Sequence, residues 1–444
     1  MSEGSKLSPA ARKGVFTVWL IIFIDLLGFG IVLPSLAYYV KLFEVPGWAH
    51  SVAGTFGLEM RGGVLVGLIM TAYSLMQFIF APIWGRLSDK VGRKPILALS
   101  TAGFAVTWIM FALATDFLWL LLSRALAGVC AANLSTAQAY MADVFPPEKR
   151  AKGMGLIGMA FGLGFVFGPA VGGLLTHDPF LALFFTPGTD AFARSHLFMP
   201  AFFAAGLSTI SFVLSVTLLR ESLSPELRAG LGPRKGKLTE LFEALRRPAI
   251  RPMLIVYFVV TLGFANLEAM FSQFNADYLQ ISPSANAWVF VAIGLTLAVV
   301  QGGLIGRLTK KLGSPGVLVI GLGGLAAMMF VFGFQKEINP GLAPYLWLVL
   351  VAIGIGLFNG LCNPSVLAII SSHARADAQG GTMGFTASAA TLGRIAGPIT
   401  GGIVYDATGP QWPFALGGVL IALGLLILLA RWKNVQPPVA VAEG

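Results

Sequence analysis

About twelve apolar runs dominate this sequence of 444 residues. Each run holds about twenty residues, the length that an α-helix needs to cross the hydrocarbon core of a bilayer. The runs lack the period-two alternation of a membrane β-barrel, and 11% of the residues are charged, against about a quarter in soluble proteins. The sequence therefore predicts an all-α polytopic membrane protein, with spans near residues 15–40, 63–84, 95–114, 117–142, 153–175, 198–219, 252–276, 286–305, 316–335, 343–371, 380–404 and 411–431.

The distribution of Lys and Arg predicts the orientation of these spans. The first run is too long for the core of a cleaved signal and contains Asp25, so we interpret it as an uncleaved span. With the amino terminus in the cytoplasm, most basic residues fall in cytoplasmic segments. The outer loops then hold only Lys41, Arg61, Arg194 and Lys336. We expect both termini in the cytoplasm, and we attribute the net charge of +10 to topology and contact with anionic membrane lipids rather than to nucleic acid.

The two halves of the sequence resemble each other. The segment GRLSDKVG at 85–92 matches GRLTKKLG at 306–313, and GLGFVFGPAVGG at 162–173 matches TLGRIAGPITGG at 391–402. A duplicated six-span unit is typical of transporters that rock around a binding site near the bilayer midplane.

A basic stretch at 220–251 separates the two halves. We interpret it as a cytoplasmic linker, within which KLTELFEALRRP is either a short amphipathic helix at the membrane surface or a solvated connection. The predicted domains are a six-helix bundle at 1–219, the linker at 220–251 and a second six-helix bundle at 252–444.

Four segments resemble the major facilitator superfamily. GRLSDKVGRKPIL at 85–97 is similar to its signature loop between spans two and three, and residues 124–155 resemble its fourth-span pattern. GLGFVFGPAVGG resembles the fifth-span pattern of its twelve-helix drug:proton antiporters, and DLLGFGIVLPSL at 25–36 is similar to the first span of the tetracycline/proton antiporter branch. The resemblance implies a multi-pass transporter of a bacterial inner membrane, acting as a monomer by alternating access.

The glycines and charged residues of the loop at 85–97 also indicate its structure without reference to the family. Gly85 and Gly92 permit a tight turn where two helices reach the cytoplasm, and Asp89 is an acid among bases. The resemblance implies that Asp89 docks against the start of the eleventh span and holds a cytoplasmic gate shut, an anion being favourable at a helix amino terminus. The alternative is a basic loop that only fixes topology. The predicted gate residues are Gly85, Asp89, Gly92, Arg93, Asp143 and Arg150.

The fifth-span pattern places glycines on one helical face. Gly164, Gly168 and Gly172 are four residues apart and form a stripe that allows close packing of a neighbouring helix, while Pro169 allows a bend and Gly173 follows the stripe. The resemblance associates this pattern with antiport. The alternative is helix packing alone.

Four charged residues lie within the spans: Asp25, Arg124, Glu268 and Arg394. Such charges are costly in a membrane, and each is a functional candidate. They do not follow the internal repeat, although two acids and two bases also allow a purely structural cancellation. A carboxyl group in an apolar cavity can load and release a proton. We therefore predict Asp25 as the main proton-coupling residue, Glu268 as the second, and Arg124 and Arg394 as their charge partners.

The predicted substrate cavity is apolar with a few polar groups, which suits an amphiphilic small molecule. Its candidate residues share inward-facing positions on spans four, seven and ten. They are Asn133, Gln138, Asn266, Met270, Gln273, Asn359 and Asn363. The tetracycline antiporters carry an essential acid in span nine, whereas 316–335 has none, so the resemblance does not make tetracycline the expected substrate.

The sequence thus predicts a proton-coupled efflux antiporter of amphiphilic small molecules or drugs. The alternatives are a metabolite symporter or uniporter of the same fold, and a non-transporting receptor or scaffold. We expect no enzymatic activity, because no HExxH motif or cluster of His and Asp lies near the membrane surface. We also expect no cofactor and no metal.

Overall fold

A computed structural model describes residues 9–55, 57, 59–146, 150–223, 248, 250–374 and 379–436. These residues form helices joined by short connections and contain no strand. Residues 224–247 and 249, which make up most of the predicted linker, lie outside the described part of the chain.

The first nine α-helices, numbered in chain order, carry predicted spans one to six. They are α1 (Pro9–Tyr39), α2 (Gly47–Thr55), α3 (Gly62–Val91), α4 (Arg93–Ala112), α5 (Phe117–Ala131), α6 (Leu134–Val144), α7 (Arg150–Leu175), α8 (Asp178–Leu181) and α9 (Asp190–Thr217). A 3-10 turn, Val40–Leu42, follows α1.

The remaining helices of the described residues carry predicted spans seven to twelve. They are α10 (Ile250–Asp277), α11 (Pro283–Val299), α12 (Ile305–Gly333), α13 (Gln335–Ile338), α14 (Pro344–His373), α15 (Gln379–Thr408), α16 (Trp412–Ala430) and α17 (Trp432–Val435). A π-helical turn, Val300–Leu304, joins α11 to α12.

The predicted spans have helical counterparts. Among the described residues, 10 helical runs are long and apolar enough to cross a membrane. One of them, Pro283–Gly333, contains both predicted spans eight and nine. The helix α15 corresponds to predicted span eleven. The all-helical membrane fold predicted from the apolar runs is therefore confirmed.

Predicted span four corresponds to one candidate membrane span, Phe117–Val144, within which Ala132 and Asn133 form a turn between α5 and α6. One sequence-based detail is wrong. The turn of the charged loop does not involve Gly85, because α3 continues through that residue to Val91. Gly92 makes the turn alone, with a φ of 111° that favours glycine. In the repeat, Gly313 has a φ of 69° at the corresponding position.

The chain divides into two compact units. The first contains the described residues of 1–52, 72–232 and 282–291. Its core includes Val18 and Ile22 of α1 packed with Tyr140 and Met141 of α6.

The sixth span begins earlier than predicted, at Asp190, because Thr189 Oγ1 accepts a hydrogen bond from the backbone N–H of Phe192 at 3.2 Å and caps the helix.

The second unit contains the described residues of 53–71, 233–281 and 292–444. Its core includes an aromatic cluster in which Phe332 of α12 stacks on Phe271 of α10, with ring centroids 4.7 Å apart. Phe332 also meets Phe414 of α16 edge-on at 4.7 Å. These contacts join three helices of the unit through one buried side chain.

The predicted glycine stripe lies against α1. A Cβ atom on Gly164 would meet Leu26, and a Cβ atom on Gly168 would lie 2.7 Å from the Cα atom of Gly30. Gly172 is similarly close to the backbone of Ile31. Only glycine allows the two helix backbones to approach this closely, which confirms the predicted close packing.

The repeat reproduces this packing in the second unit. Gly393 and Gly397 of α15 lie against the backbone of α10 at Leu262, and Gly401 lies against the side chain of Asn266. The internal similarity detected in the sequence therefore corresponds to the same helix contact made twice.

Candidate functional site

The carboxyl group of Asp25 lies inside the first unit, on α1. Its Oδ2 atom accepts a hydrogen bond from the Nδ2 atom of Asn133 at 3.0 Å. Its Oδ1 atom is buried and has no hydrogen-bond partner among the described residues. A buried carboxylate oxygen without a partner is costly, and protonation removes most of that cost. This arrangement suits a group that binds a proton.

Arg124 of α5 makes no ion pair or hydrogen bond with Asp25 within the described residues. Its guanidinium carbon lies 4.1 Å from the ring centroid of Trp108 and 4.5 Å from that of Phe111, both on α4. Arg124 is 5% exposed, and its Nε and Nη2 atoms are buried without partners in the described structure. The aromatic faces supply the attraction to its charge, and at least two of its N–H groups stay available to an acceptor.

In the second unit, Glu268 of α10 interacts electrostatically with Arg394 of α15. No ion pair between them appears among the described residues within 4.0 Å, and Arg394 is exposed in the isolated chain. The predicted pairing of Glu268 and Arg394 stays a prediction.

The predicted cavity residues of α10 lie in helix contacts. Asn266 is 1% exposed and donates from Nδ2 to the carbonyl oxygen of Pro413 at 3.0 Å. Met270 is buried beside Gly401. Gln273 is buried and donates to Asp277, so these side chains pack against α15 and α16 or bond along their own helix.

The other predicted cavity residues differ in exposure. Asn133 is buried and bound to Asp25, whereas Gln138 on α6 is exposed. Asn359 of α14 is buried, and Asn363, one turn further along, is half-buried. The role of these residues in substrate binding stays a prediction.

The charged loop after the second span forms a compact network in the first unit. Arg93 is 4% exposed. Its Nη1 atom lies 2.6 Å from Asp89 Oδ1 and 2.7 Å from Ser88 Oγ, and its Nε atom lies 3.1 Å from Asp143 Oδ2. Arg150 donates to the carbonyl oxygen of Ala142 at 3.3 Å, next to Asp143 in the chain. The predicted gate residues Asp89, Arg93 and Asp143 are therefore brought together.

Two residues of this network, Glu221 and Ser222, were not predicted from the sequence. The Oε1 and Oε2 atoms of Glu221 accept hydrogen bonds from the backbone N–H groups of Arg93 and Lys94, at 2.8 and 3.1 Å. Ser222 Oγ donates to Asp143 Oδ2 at 2.9 Å. Glu221 thus caps the amino terminus of α4 with a negative charge. The only sequence signal was an acid within a basic stretch at the end of the sixth span.

A second cap lies at the other end of α3, in the second unit. The carboxylate of Asp406 on α15 accepts hydrogen bonds from the backbone N–H groups of Gly63 and Val64, at 3.1 and 2.8 Å. Gly402 and Gly63 approach each other closely at the same contact. Asp406 thereby satisfies N–H groups that would otherwise be unpaired at the start of a membrane helix.

The family follows from comparison with known proteins. The model of the Major Facilitator Superfamily matches residues 18–254 and again residues 253–444. The chain belongs to the major facilitator superfamily. This places it among transporters rather than enzymes.

Individual members of the superfamily match over nearly the whole chain. "Multidrug resistance protein 2" of Bacillus subtilis (strain 168) is 30% identical over 435 residues, which are 97% of this chain and 98% of that protein. "Tetracycline resistance protein, class H" of Pasteurella multocida is 27% identical over 445 residues, covering 97% and 99%. The crystal structure of the human organic anion transporter MFSD10 superposes with a TM-score of 0.67 at 27% identity, covering 95% and 100%.

Proposed function

We propose that this major facilitator protein is a proton-driven antiporter that exports amphiphilic small molecules by alternating access. The observation that carries the proposal is the carboxyl group of Asp25, which has one oxygen bound to Asn133 and the other buried without a partner. Similarity to a protein named for multidrug resistance supports export of drugs. Protonation of Asp25, and secondarily of Glu268, competes with substrate binding in this mechanism.

The proton gradient biases the exchange between states that face opposite sides of the membrane. Each proton that crosses about 100 mV supplies roughly 2.3 kcal/mol, before the contribution of the pH difference. The glycine stripe of Gly164, Gly168 and Gly172 supports the proposed antiport, because it packs α7 closely against α1, the helix that carries Asp25. The protein acts as a monomer in a bacterial inner membrane, as the family resemblance implies, with both termini in the cytoplasm, as the basic loops predict.

Proton flux in inside-out vesicles tests the proposal. A pH dye inside vesicles with an imposed pH gradient is read while cationic, neutral, zwitterionic and anionic amphiphiles are added. Transported compounds collapse the gradient with the wild type and fail to do so with Asp25→Asn, while Glu268→Gln reduces the response. Glu44→Gln is the matched control, because Glu44 is an exposed acid outside the spans. Substrate movement without proton movement in the wild type contradicts antiport.

A second candidate function is transport of organic anions. The buried guanidinium of Arg124, with Nε and Nη2 unpaired among the described residues, favours it, since such groups bind carboxylates strongly. A related transporter of known structure carries the name of an organic anion transporter. The anionic members of the panel decide between the two: a response to anions that Arg124→Gln removes, with no response to cations, supports this second function.

A further inference from the structure

The fourth span is interrupted by a two-residue turn between α5 and α6, at a position with neither glycine nor proline. The N–H group of Ala132 bonds to Val129 and that of Asn133 bonds to Cys130, so both bonds span three residues instead of four. The Val129 and Cys130 oxygens therefore accept from the residue three positions on rather than four. Each of these carbonyl oxygens has a second lone pair that can accept from a further donor.

Side chains of two neighbouring helices supply these donors. The indole Nε1 of Trp84 on α3 donates to the Val129 oxygen at 2.7 Å, and Ser100 Oγ on α4 donates to the Cys130 oxygen at 2.8 Å. Gln77 Nε2 on α3 donates to the Ala131 oxygen at 3.1 Å. Three successive carbonyls are thus bound from outside the span. The turn is held in place by the surrounding fold rather than by the local sequence.

Asn133 lies in this turn, directly before α6. It is 2% exposed, and its carbonyl oxygen accepts from the N–H group of Ala137 at 2.9 Å, which starts α6. Its side-chain Nδ2 reaches Asp25 Oδ2 across the gap between α6 and α1. An amide N–H donor stabilises a carboxylate more than a neutral carboxyl group, because the interaction is stronger with the charged acceptor.

Titratable groups near Asp25 come from neighbouring helices. Cys130 on α5 lies close enough to interact electrostatically with Asp25, and Tyr73 on α3 packs against Phe29, one turn further along α1. Other titratable residues also lie on the helices around α1. Those whose side chains the structure describes are Tyr140 and Asp143 on α6, Arg150 on α7, Asp190, Arg194 and His196 on α9, and Arg93 and Lys94 on α4, while Arg124 on α5 lies over the rings of Trp108 and Phe111.

We infer that Asn133 is a positioning residue for Asp25. The turn between α5 and α6 places its side-chain amide so that Nδ2 binds Oδ2 of Asp25 and the proton binds at Oδ1. The proton comes from water on one side of the membrane, forms the O–H bond at Oδ1 and leaves to water on the other side. This inference rests on the proposed role of Asp25 and replaces the predicted role of Asn133 as a lining residue of the substrate cavity.

The test follows the protonation of Asp25 directly, by infrared difference spectroscopy on the reconstituted full-length protein. The carboxylic C=O band that is absent from Asp25→Asn reports the protonated group, and its intensity is titrated with pH. In Asn133→Ala, which lacks the amide donor, we expect the midpoint to move up by about one to two pH units. Ser123→Ala is the matched control, because Ser123 is equally buried on α5 and bonds within its own helix.

An isosteric variant of Asn133 controls for the possibility that Asn133→Ala changes the fold. Asn133→Asp keeps the size of the side chain and places a second carboxylate beside Asp25, so the midpoint rises further than in Asn133→Ala. A midpoint within a few tenths of a pH unit of the wild type in both variants would overturn the inference. If the midpoints move as expected while Asp25→Asn still exchanges protons for ethidium in vesicles, the positioning role stands and the proposed antiport through Asp25 is wrong.

Discussion

Replacing Arg93 by methionine tests the charge network at the start of α4. The Arg93 side chain is 5% exposed and contacts two carboxylates, on Asp89 and Asp143, whose side chains are 17% and 21% exposed. Removing one partner from a fully buried ion pair costs about 3–5 kcal/mol, because the remaining charge is left uncompensated. Partial access of water to both carboxylates lowers this penalty, so we expect Arg93→Met to reduce the free energy of unfolding by roughly 2–3 kcal/mol.

The matched control is Arg86→Met, near the end of α3. Arg86 is exposed, and its Nε atom donates only to the carbonyl oxygen of Pro82 in its own helix, at 3.2 Å. We expect a change below about 0.5 kcal/mol for this variant. Reversible unfolding in mixed micelles, followed by tryptophan fluorescence, measures both. Equal stability of the two variants would refute the view that the buried network holds this end of the unit together.

Three further changes probe the packing of the two units. Asp406→Ala removes the cap of α3 and should cost about 1 kcal/mol of unfolding free energy, most of which Asp406→Asn should restore; equal losses would contradict capping. Gly168→Val forces a Cβ atom against the backbone of α1 and should cost about 1–3 kcal/mol, whereas Gly162→Val, with open space around it, should stay near the wild type in a thermal-shift assay. Phe332→Ala should cost roughly 2 kcal/mol, less than in a soluble core because the lipid is also apolar; an unchanged melting temperature would show that the aromatic cluster is not needed.

The membrane fold could be predicted from the sequence because each span must be apolar over about twenty residues, and such runs are recognised directly. The glycine stripes were predictable for the same kind of reason. Spacing by four residues puts small side chains on one helical face, whatever the neighbouring helix is. The structure then shows Gly164 and Gly168 against α1, and Gly397 in the corresponding place against α10.

The partners of the buried charges were not predictable, because they depend on which helices become neighbours. The contact of the Arg124 guanidinium with the ring of Trp108 had no signal in the sequence. The hydrogen bond from Asn266 to a carbonyl oxygen of α16 had none either. The position of a residue along a span is fixed by the sequence, but its direction around the bundle is set by packing.

The sequence by itself determined the spans, the internal repeat and the presence of acids within the membrane, since these follow from composition and spacing. The tertiary structure decided that a turn at Ala132 and Asn133 interrupts the fourth span, because side chains of α3 and α4 donate hydrogen bonds to three carbonyl oxygens beside it. It also decided that Asp406, more than three hundred residues away in the chain, caps α3. Backbone groups in a membrane must find partners wherever the fold places them, and no local pattern specifies which distant side chain that will be.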